Sequence, residues 1–468
     1  MIKKYPVKRF YLGVDLGSTT SKAIIINEKD EIVGRGITNT RANYRVAVEI
    51  AKLEAIFNAR FYLLKKQLED EIKQHPEFKK YIDDIESLFQ YLQFKKRSDI
   101  FHAALLETAN QSFNNGLKDK VIQHVENIFT KINPMLKLEF VDGDLANSNQ
   151  FFRDIISEKY NEEIAKLDKE LFEPMMLVYD KSITPVENEM VDFNFKDLLT
   201  NSVELLKEKY KDRSNKHTGE ISGHFDAELN ILTGNYENVS DSLKKHIDFI
   251  ADFEFNIANM VGTGYGRALL PFPADSIKSE ILCHAFGAHA IFPFTRTVLD
   301  IGGQDTKAIQ VDSYGLVTSF NMNDRCAAGC GRYLGYIADE FSISLNELGP
   351  EALEATKEVT ICSTCTVFAG AEVRELLNVG EERSNILAGL HKSIVMRAMS
   401  LIARSGGVKN EFTFTGGVAR NQAVIKYVSQ MVKDNYGKDI KINIHTDSIF
   451  MGALGGAMFA RRASLKKN

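Results

Sequence analysis

Three short glycine-bearing stretches carry the residue types that hold phosphate. In Gly13–Lys22 (GVDLGSTTSK), Asp15 stands two positions before Gly17, and the hydroxyls of Ser18, Thr19 and Thr20 follow, then Lys22. Glycine lets a backbone approach phosphate oxygens closely, and successive turn amides together with hydroxyls make an anion-binding concavity. Asp15 would repel a phosphate but suits a hydrated Mg²⁺, which keeps several waters and takes one or two carboxylates. Asp300–Lys307 (DIGGQDTK) repeats the pattern with Asp300, Gly302, Gly303, Asp305 and Thr306, and sets Gln304 where it could orient an attacking water. Asp15, Gln304 and Asp305 are thus the candidate catalytic groups. In Thr415–Asn421 (TGGVARN), Gly416, Gly417, Arg420 and Asn421 fall where a strand gives way to a helix, a place suited to adenosine or phosphate. Either hairpin alone reads as an ordinary glycine turn; two copies and a third turn point to ATP. No GxxxxGK[ST] loop and no dinucleotide fingerprint occurs.

The five cysteines, Cys283, Cys326, Cys330, Cys362 and Cys365, all follow residue 282. An odd, clustered set argues for metal or redox chemistry over a disulfide framework. Cys326 and Cys330 are spaced CxxxC, and Cys362 and Cys365 CxxC. An Fe–S cluster normally takes four thiolates, so one chain could supply all four, or each of two chains could supply two. Cys283, inside the apolar SEILCHAFGAHA, and His284 beside it read as buried structural residues.

The elements that must position these residues follow from periodicity. Phe10–Val14 and Ala23–Ile26 read as strands around the first turn, with Asn27–Asp30 closing a second hairpin before Ile32. TRTVLDIGGQDTKAIQV repeats that unit, an internal duplication. Asn385–Ser405 predicts a long amphipathic helix, and Glu411–Gly417 a strand ending in a glycine turn. Between them, about 44–241 has helical spacing with no motif of its own. The expected organisation is an ATPase domain I from 1–43 and 242–290, interrupted by a helical insertion over 44–241. Domain II follows over 291–468, its last helix free to return to domain I.

At 468 residues, two or more cores are expected, and 44% hydrophobic with 26% charged residues is a globular composition. A net charge of −5 offers no basic field for nucleic acid. No apolar run approaches the roughly 20 residues that span a bilayer, and MIKKYPVKRF lacks the apolar core of a secretory signal. A cytoplasmic protein is expected, without a membrane partner.

DLGSTTSK, DIGGQDTK and TGGVARN together resemble the actin/sugar-kinase/heat-shock-70 ATPase superfamily. That resemblance implies an α/β fold of two ribonuclease-H-like domains around a nucleotide cleft, here with a large helical insertion. VGTGYGR, EILCHAFGAHA, LDIGGQDTKAI, NMNDRCAAGCGRYL and CTVFAGAEV further resemble the ATP-driven electron activators of 2-hydroxyacyl-CoA dehydratases and benzoyl-CoA reductases. The family likeness implies ATP, Mg²⁺ and one [4Fe-4S] cluster shared between two chains. By position its ligands would be Cys326 and Cys365, with Gly329 and Gly331 counted among the nucleotide-binding residues. This chain departs from the family's CAAGTG by placing Cys330 at the threonine. The resemblance also implies reduced ferredoxin or flavodoxin as donor, a paralogous ATPase subunit as partner, and separate catalytic subunits as acceptor. The length of the insertion makes the chain resemble the larger ATPase subunit of a benzoyl-CoA reductase, the first expectation, with a dehydratase activator the alternative. A small-molecule kinase and a chaperone-like ATPase are rival readings of the same fold.

Overall fold

The computed structural model describes residues 9–40, 43–74, 77–143, 145–147, 151–216, 245–270, 272–323, 330–363 and 366–465. The chain divides into two compact units: one is mainly 57–254, and the other holds 7–40, 47–56 and 255–468.

The second unit, the body, contains two sheets of like construction. In the first, β1 (Phe10–Leu16), β2 (Thr20–Asn27) and β3 (Ile32–Asn39) form antiparallel hairpins, and β4 (Ile257–Thr263) joins β1 in parallel, giving the order β3-β2-β1-β4. In the second, β5 (Thr297–Ile301), β6 (Thr306–Val311) and β7 (Val317–Asn323) repeat the hairpins. There β8 (Phe412–Thr415) and β9 (Ile442–Ile444) extend the sheet in parallel as β7-β6-β5-β8-β9. The β-branched run Ile24–Ile26 is fully buried, as strands covered on both faces require. The β2–β3 turn forms where polar residues offer local bonds: Asn27 Oδ1 accepts from the amides of Lys29 and Glu31, and Asp30 takes φ 63°.

Among the described residues, α1 (Tyr44–Gln67), α2 (Glu69–Gln74), α3 (Glu77–Ser112), α4 (Asn115–Val141), α5 (Phe152–Ile164), α6 (Lys169–Glu187), α7 (Phe195–Lys216) and α8 (245–251) lie between β3 and β4. They bury their own aromatic core, in which Phe101 packs edge-on against Tyr160 and Tyr179. Helix α1 begins at residue 44, where the sequence changes character, yet its residues 47–56 belong to the body.

Body helices follow as α9 (Glu280–Ile291), α10 (Gly331–Phe341), α11 (Leu348–Leu353), α12 (Thr366–Asn378), α13 (Arg383–Ser405), α14 (Gln422–Tyr436) and α15 (Met451–Leu465). Apolar enough by composition to cross a membrane, α13 is instead largely buried in the core of the second sheet with Phe412 and Phe414. The C-terminal α15 packs on the first sheet, its Ala453 and Ala457 against Tyr11, Ile24 and Val261. Helix α9 lies against both layers. Ile281, Ala285 and Ala288 pack on Val298, Ile309 and Val311 of β5 and β6, while its other side meets α15.

The α9–α15 crossing depends on glycine. A Cβ on Gly455 would lie 1.9 Å from the Cys283 carbonyl oxygen, and one on Gly287 2.1 Å from that of Met451. Both obstacles are backbone, which cannot swing aside, so the helices would have to separate. Gly455→Ala is expected to cost about 1–3 kcal/mol, read as a fall in Tm; an unchanged Tm would show that the crossing is loose.

Candidate functional site

Each phosphate hairpin places its aspartate directly opposite a lysine on the next strand: Asp15 pairs with Lys22, and Asp300 with Lys307. Lys22 Nζ lies 3.4 Å from Asp15 Oδ2. Lys307 Nζ lies 3.3 Å from Asp300 Oδ2 and 2.6 Å from Asp305 Oδ1. Asp300 also accepts from the Thr415 hydroxyl at 3.1 Å. His284 Nδ1 stands 3.1 Å from Asp300 Oδ1.

These groups share one buried cluster, and each shift has a nameable cause. Burial pushes the Asp300 carboxyl up, but His284 and Lys307 together outweigh it and hold the group well below the usual carboxylate range. Burial pulls Lys307 down, and Asp300, Asp305 and Glu280 more than restore it, leaving an ammonium held firmly charged. Burial likewise pulls His284 down, and Asp300 lifts it above the ordinary imidazole value. Glu280, at the first position of α9, is raised, chiefly by burial; its neighbour Lys307 is 4.0 Å away.

The three turns converge. A Cβ on Gly303 would sit 2.1 Å from Thr19 Oγ1, so the second turn touches the first. Gly416, at φ 90°, presses on β5, where a Cβ would lie 2.2 Å from the Ile301 carbonyl oxygen. Gly331, at the start of α10, abuts Gly302 and Val418. The amides of Gly331 and Arg332 donate to the carbonyls of Gly302 (2.9 Å) and Gly303 (2.8 Å), which satisfies part of that helix's orphan N-terminus. Thr40 braces the first turn, its hydroxyl donating to the Gly17 carbonyl and its amide to that of Thr19. The third turn is tied to 447–448: Gly416 N–H donates to the Ser448 carbonyl, and Asp447 forms a bidentate pair with Arg35 at 2.8 Å.

Of the residues singled out from sequence, Gly17, Ser18, Thr19, Thr20, Lys22, Gly302, Gly303, Gln304, Asp305 and Thr306 lie on or flank the paired turns, Asp15 and Asp300 behind them. Gly416, Gly417 and Arg420 lie on the third turn; Arg420 donates to the Thr446 carbonyl. Asn421 serves the fold: its Oδ1 caps α14 by accepting from Val424 N–H, and its Nδ2 donates to His391 Nε2 at 3.0 Å. Cys326, Gly329 and Cys365 lie outside the described residues. Cys330 is buried with Sγ 3.6 Å from the Thr306 hydroxyl, and burial pushes its thiol up to about 11. Cys362 is half-buried and its amide donates to Glu372. Cys283 is buried with a thiol pushed up to about 12, as a structural cysteine should be. Among the described residues no group of three or more His, Cys, Asp or Glu could cage a metal. A cavity of about 240 Å³ between α11, α13 and α14, lined by Thr356, Lys392 and Tyr427, contains none of these residues.

Lys307, Glu280, Thr40 and His391 are not singled out by the sequence, and His284 reads there as a buried structural residue. The duplication itself could have yielded Lys307, since it repeats Lys22.

Two ribonuclease-H-like sheets joined through α9, with duplicated phosphate hairpins and a glycine turn after β8, define the actin-like ATPase fold. The chain belongs to the BadF/BadG/BcrA/BcrD ATPase family, whose pattern matches residues 12–460. It is 41% identical over 211 residues to the (R)-2-hydroxyglutaryl-CoA dehydratase activating ATPase of Acidaminococcus fermentans, covering 45% of this chain and 78% of that protein. It is 42% identical over 212 residues to the activator of lactoyl-CoA dehydratase of Anaerotignum propionicum, covering 45% and 79%. A benzoyl-CoA reductase subunit of Thauera aromatica matches at 32% over 197 residues, 42% of this chain and 69% of that one. The crystal structure of the A. fermentans (R)-2-hydroxyglutaryl-CoA dehydratase component A aligns over 98% of this chain and 100% of its own, with TM-score 0.53 and 22% identity, a likeness of fold. The stronger sequence likeness therefore falls on dehydratase activators, against the first expectation of a benzoyl-CoA reductase subunit.

His391 gives the third turn a pH signature. It is fully buried, donates from Nδ1 to the Leu387 carbonyl, and accepts from Asn421 at Nε2, so it must stay neutral. Burial lowers it to about 4. Because the folded value lies below the unfolded one near 6.5, its contribution is whole above pH 6.5 and is lost as pH falls toward 4. The stability difference between pH 7 and pH 4 should be smaller in His391→Gln than in the parent, by up to about 3 kcal/mol. Identical pH dependence in chemical denaturation would contradict this.

Proposed function

We propose that the chain is the ATP-hydrolysing activator of a 2-hydroxyacyl-CoA dehydratase-type enzyme, passing single electrons to a separate catalytic partner. The observation that carries the reading is the docking of α10 on the second phosphate turn. Gly331 and Arg332 bond to Gly302 and Gly303, and α10 begins five positions after Cys326. Whatever moves the turn when ATP is held or cleaved must move that helix as well.

In this reading the amides and hydroxyls of Gly17–Thr20 and Gly302–Thr306 hold the phosphates, and Gln304 orients water. Asp15 takes a water of the magnesium ion, and the 416–417 turn meets the adenosine. Asp305, pinned by Lys307, stays beside the transferred phosphoryl group. Cys326 and Cys365 would each supply a thiolate, with the other two coming from a second chain, a copy or a paralogue. The [4Fe-4S] cluster so held would carry one electron from reduced ferredoxin or flavodoxin to the partner. Helix α12 begins at Thr366, directly after Cys365, and α10 shortly after Cys326. Domain closure of the kind common in this fold would therefore act on both cysteine segments.

The dehydratase relatives support this acceptor over benzoyl-CoA. The benzoyl-CoA reductase component among the relatives keeps that enzyme as the second reading.

Protein purified without oxygen should be brown and contain iron, and should support ATP-dependent turnover when mixed with a dehydratase and reduced ferredoxin. Cys326→Ser with Cys365→Ser should abolish iron binding and electron transfer while leaving ATP binding within about threefold, whereas Cys330→Ser should keep its iron. Full iron content in the double variant would overturn the assignment. Turnover with a benzoyl-CoA reductase core but not with a dehydratase would select the second reading.

A further inference from the structure

Helix α9 is apolar nearly all round, yet it delivers one imidazole into the charge cluster. His284 Nδ1 stands 3.1 Å from Asp300 Oδ1, with its N–H directed well at no acceptor. The other edge of the ring faces the start of α15. There a Cβ on Gly452 would be 2.8 Å from His284 Nε2 and 3.0 Å from both Cγ and Oδ2 of Asp15. One ring thus spans the interval between Asp300 of the second phosphate hairpin and Asp15 of the first, past a residue that has no side chain to separate them.

Asp15 already has Lys22 as its cation. Lys307 is shared by Asp300, Asp305 and Glu280, so the imidazole beside Asp300 is a second positive partner for that cluster, but its reach toward Asp15 answers no charge left unpaired there. An apolar side chain would fill the position without desolvating a polar ring, which generally costs stability unless its bonds are well made. Polar groups kept in an apolar setting against that cost mark sites where local rules yield to function.

We propose that His284 is the positioning residue that couples the two phosphate hairpins. Its Nδ1 faces the Asp300 carboxylate at 3.1 Å, its Nε2 edge faces Gly452 beside Asp15, and the ring so fixes the separation of the turns during ATP hydrolysis. This rests on the reading that the turns grip ATP. Each turn keeps its own amides, hydroxyls and lysine without His284, so the ring governs alignment more than affinity.

The test compares His284→Gln, which keeps a polar group in reach, with His284→Phe, which keeps volume alone. Hydrolysis is followed by phosphate release, and binding with a fluorescent ATP analogue. His284→Phe should lower kcat about tenfold to hundredfold, the scale of a misplacement near 1 Å, with affinity within about threefold and Tm retained. His284→Gln should recover most of kcat. Unchanged kcat in His284→Phe, or a parallel loss of kcat, affinity and Tm in both variants, would overturn the proposal. If His284→Phe does not fold, Gly452→Ala sets a methyl group between the ring and Asp15, and the same selective loss of kcat is expected; normal kcat there refutes the coupling. A parent protein that neither binds the analogue nor hydrolyses ATP would instead refute the ATP reading itself.

Discussion

Removing two carboxylates from water is the constraint around which the body is organised. Asp15 and Asp300 are 3% and 1% exposed, and an unpaired ion at such depth costs several kcal/mol. A cation must therefore come with each, and the antiparallel hairpin supplies it by register, since the residue opposite each aspartate is a lysine. Slipping either hairpin by one residue would send the lysine to the other face of its sheet. The hairpin duplication is thus also a duplication of charge compensation. The second copy adds Asp305, Glu280 and His284 to the same ammonium and carboxylate. This denser network surrounds the second turn, the one that receives α10.

That receipt has a mechanical consequence. A helix N-terminus leaves amides without intrahelical partners, and a tight glycine turn leaves carbonyls outside its ladder. Joining the two satisfies both. Separating them would forfeit two hydrogen bonds of about 1 kcal/mol each, which opposes parting α10 from the turn. The burial of Cys330 against Thr306 thickens the same seam with a side-chain contact.

Much of this was legible beforehand, for physical reasons that also mark the limit. Both hairpins, their glycine turns and α13 announce themselves locally, through alternation, helical periodicity and turn chemistry. The strand order of each sheet was implied only through the resemblance. His284 reads as structural from its apolar neighbours; what that local pattern does not show is that α9 lies against two layers and brings the ring beside Asp300. Asn421 stands at a helix start, a place suited to a ligand, and helix starts also need caps, a part its side chain takes here. His391, 30 positions away, then takes its amide donor. Neither outcome is local, so no window of sequence could have decided them. Cys326 and Cys365 were legible as motif residues alone.

The insertion between β3 and β4 illustrates why so large an addition leaves the ATPase pattern intact. β4 joins β1 in parallel, and a parallel neighbour always needs a crossover connection. Lengthening a connection that must exist already costs closure entropy that grows only with the logarithm of its length. The added helices meet their own ordering cost by burying a separate aromatic core around Phe101, Phe129 and Tyr160, so they draw nothing from the sheets. What the body must still supply is a fixed departure and return. The departure is secured by residues 47–56 of α1: Ala51 and Ala55 pack so closely on Gly36 of β3 that a Cβ there would lie 2.0 Å from the Ala51 carbonyl oxygen. The return is secured where Phe10 N–H donates to the Asn256 carbonyl just before β4. With both ends tied to the sheet that holds Asp15, the phosphate hairpins keep the register on which their charge pairing depends, whatever the insertion binds.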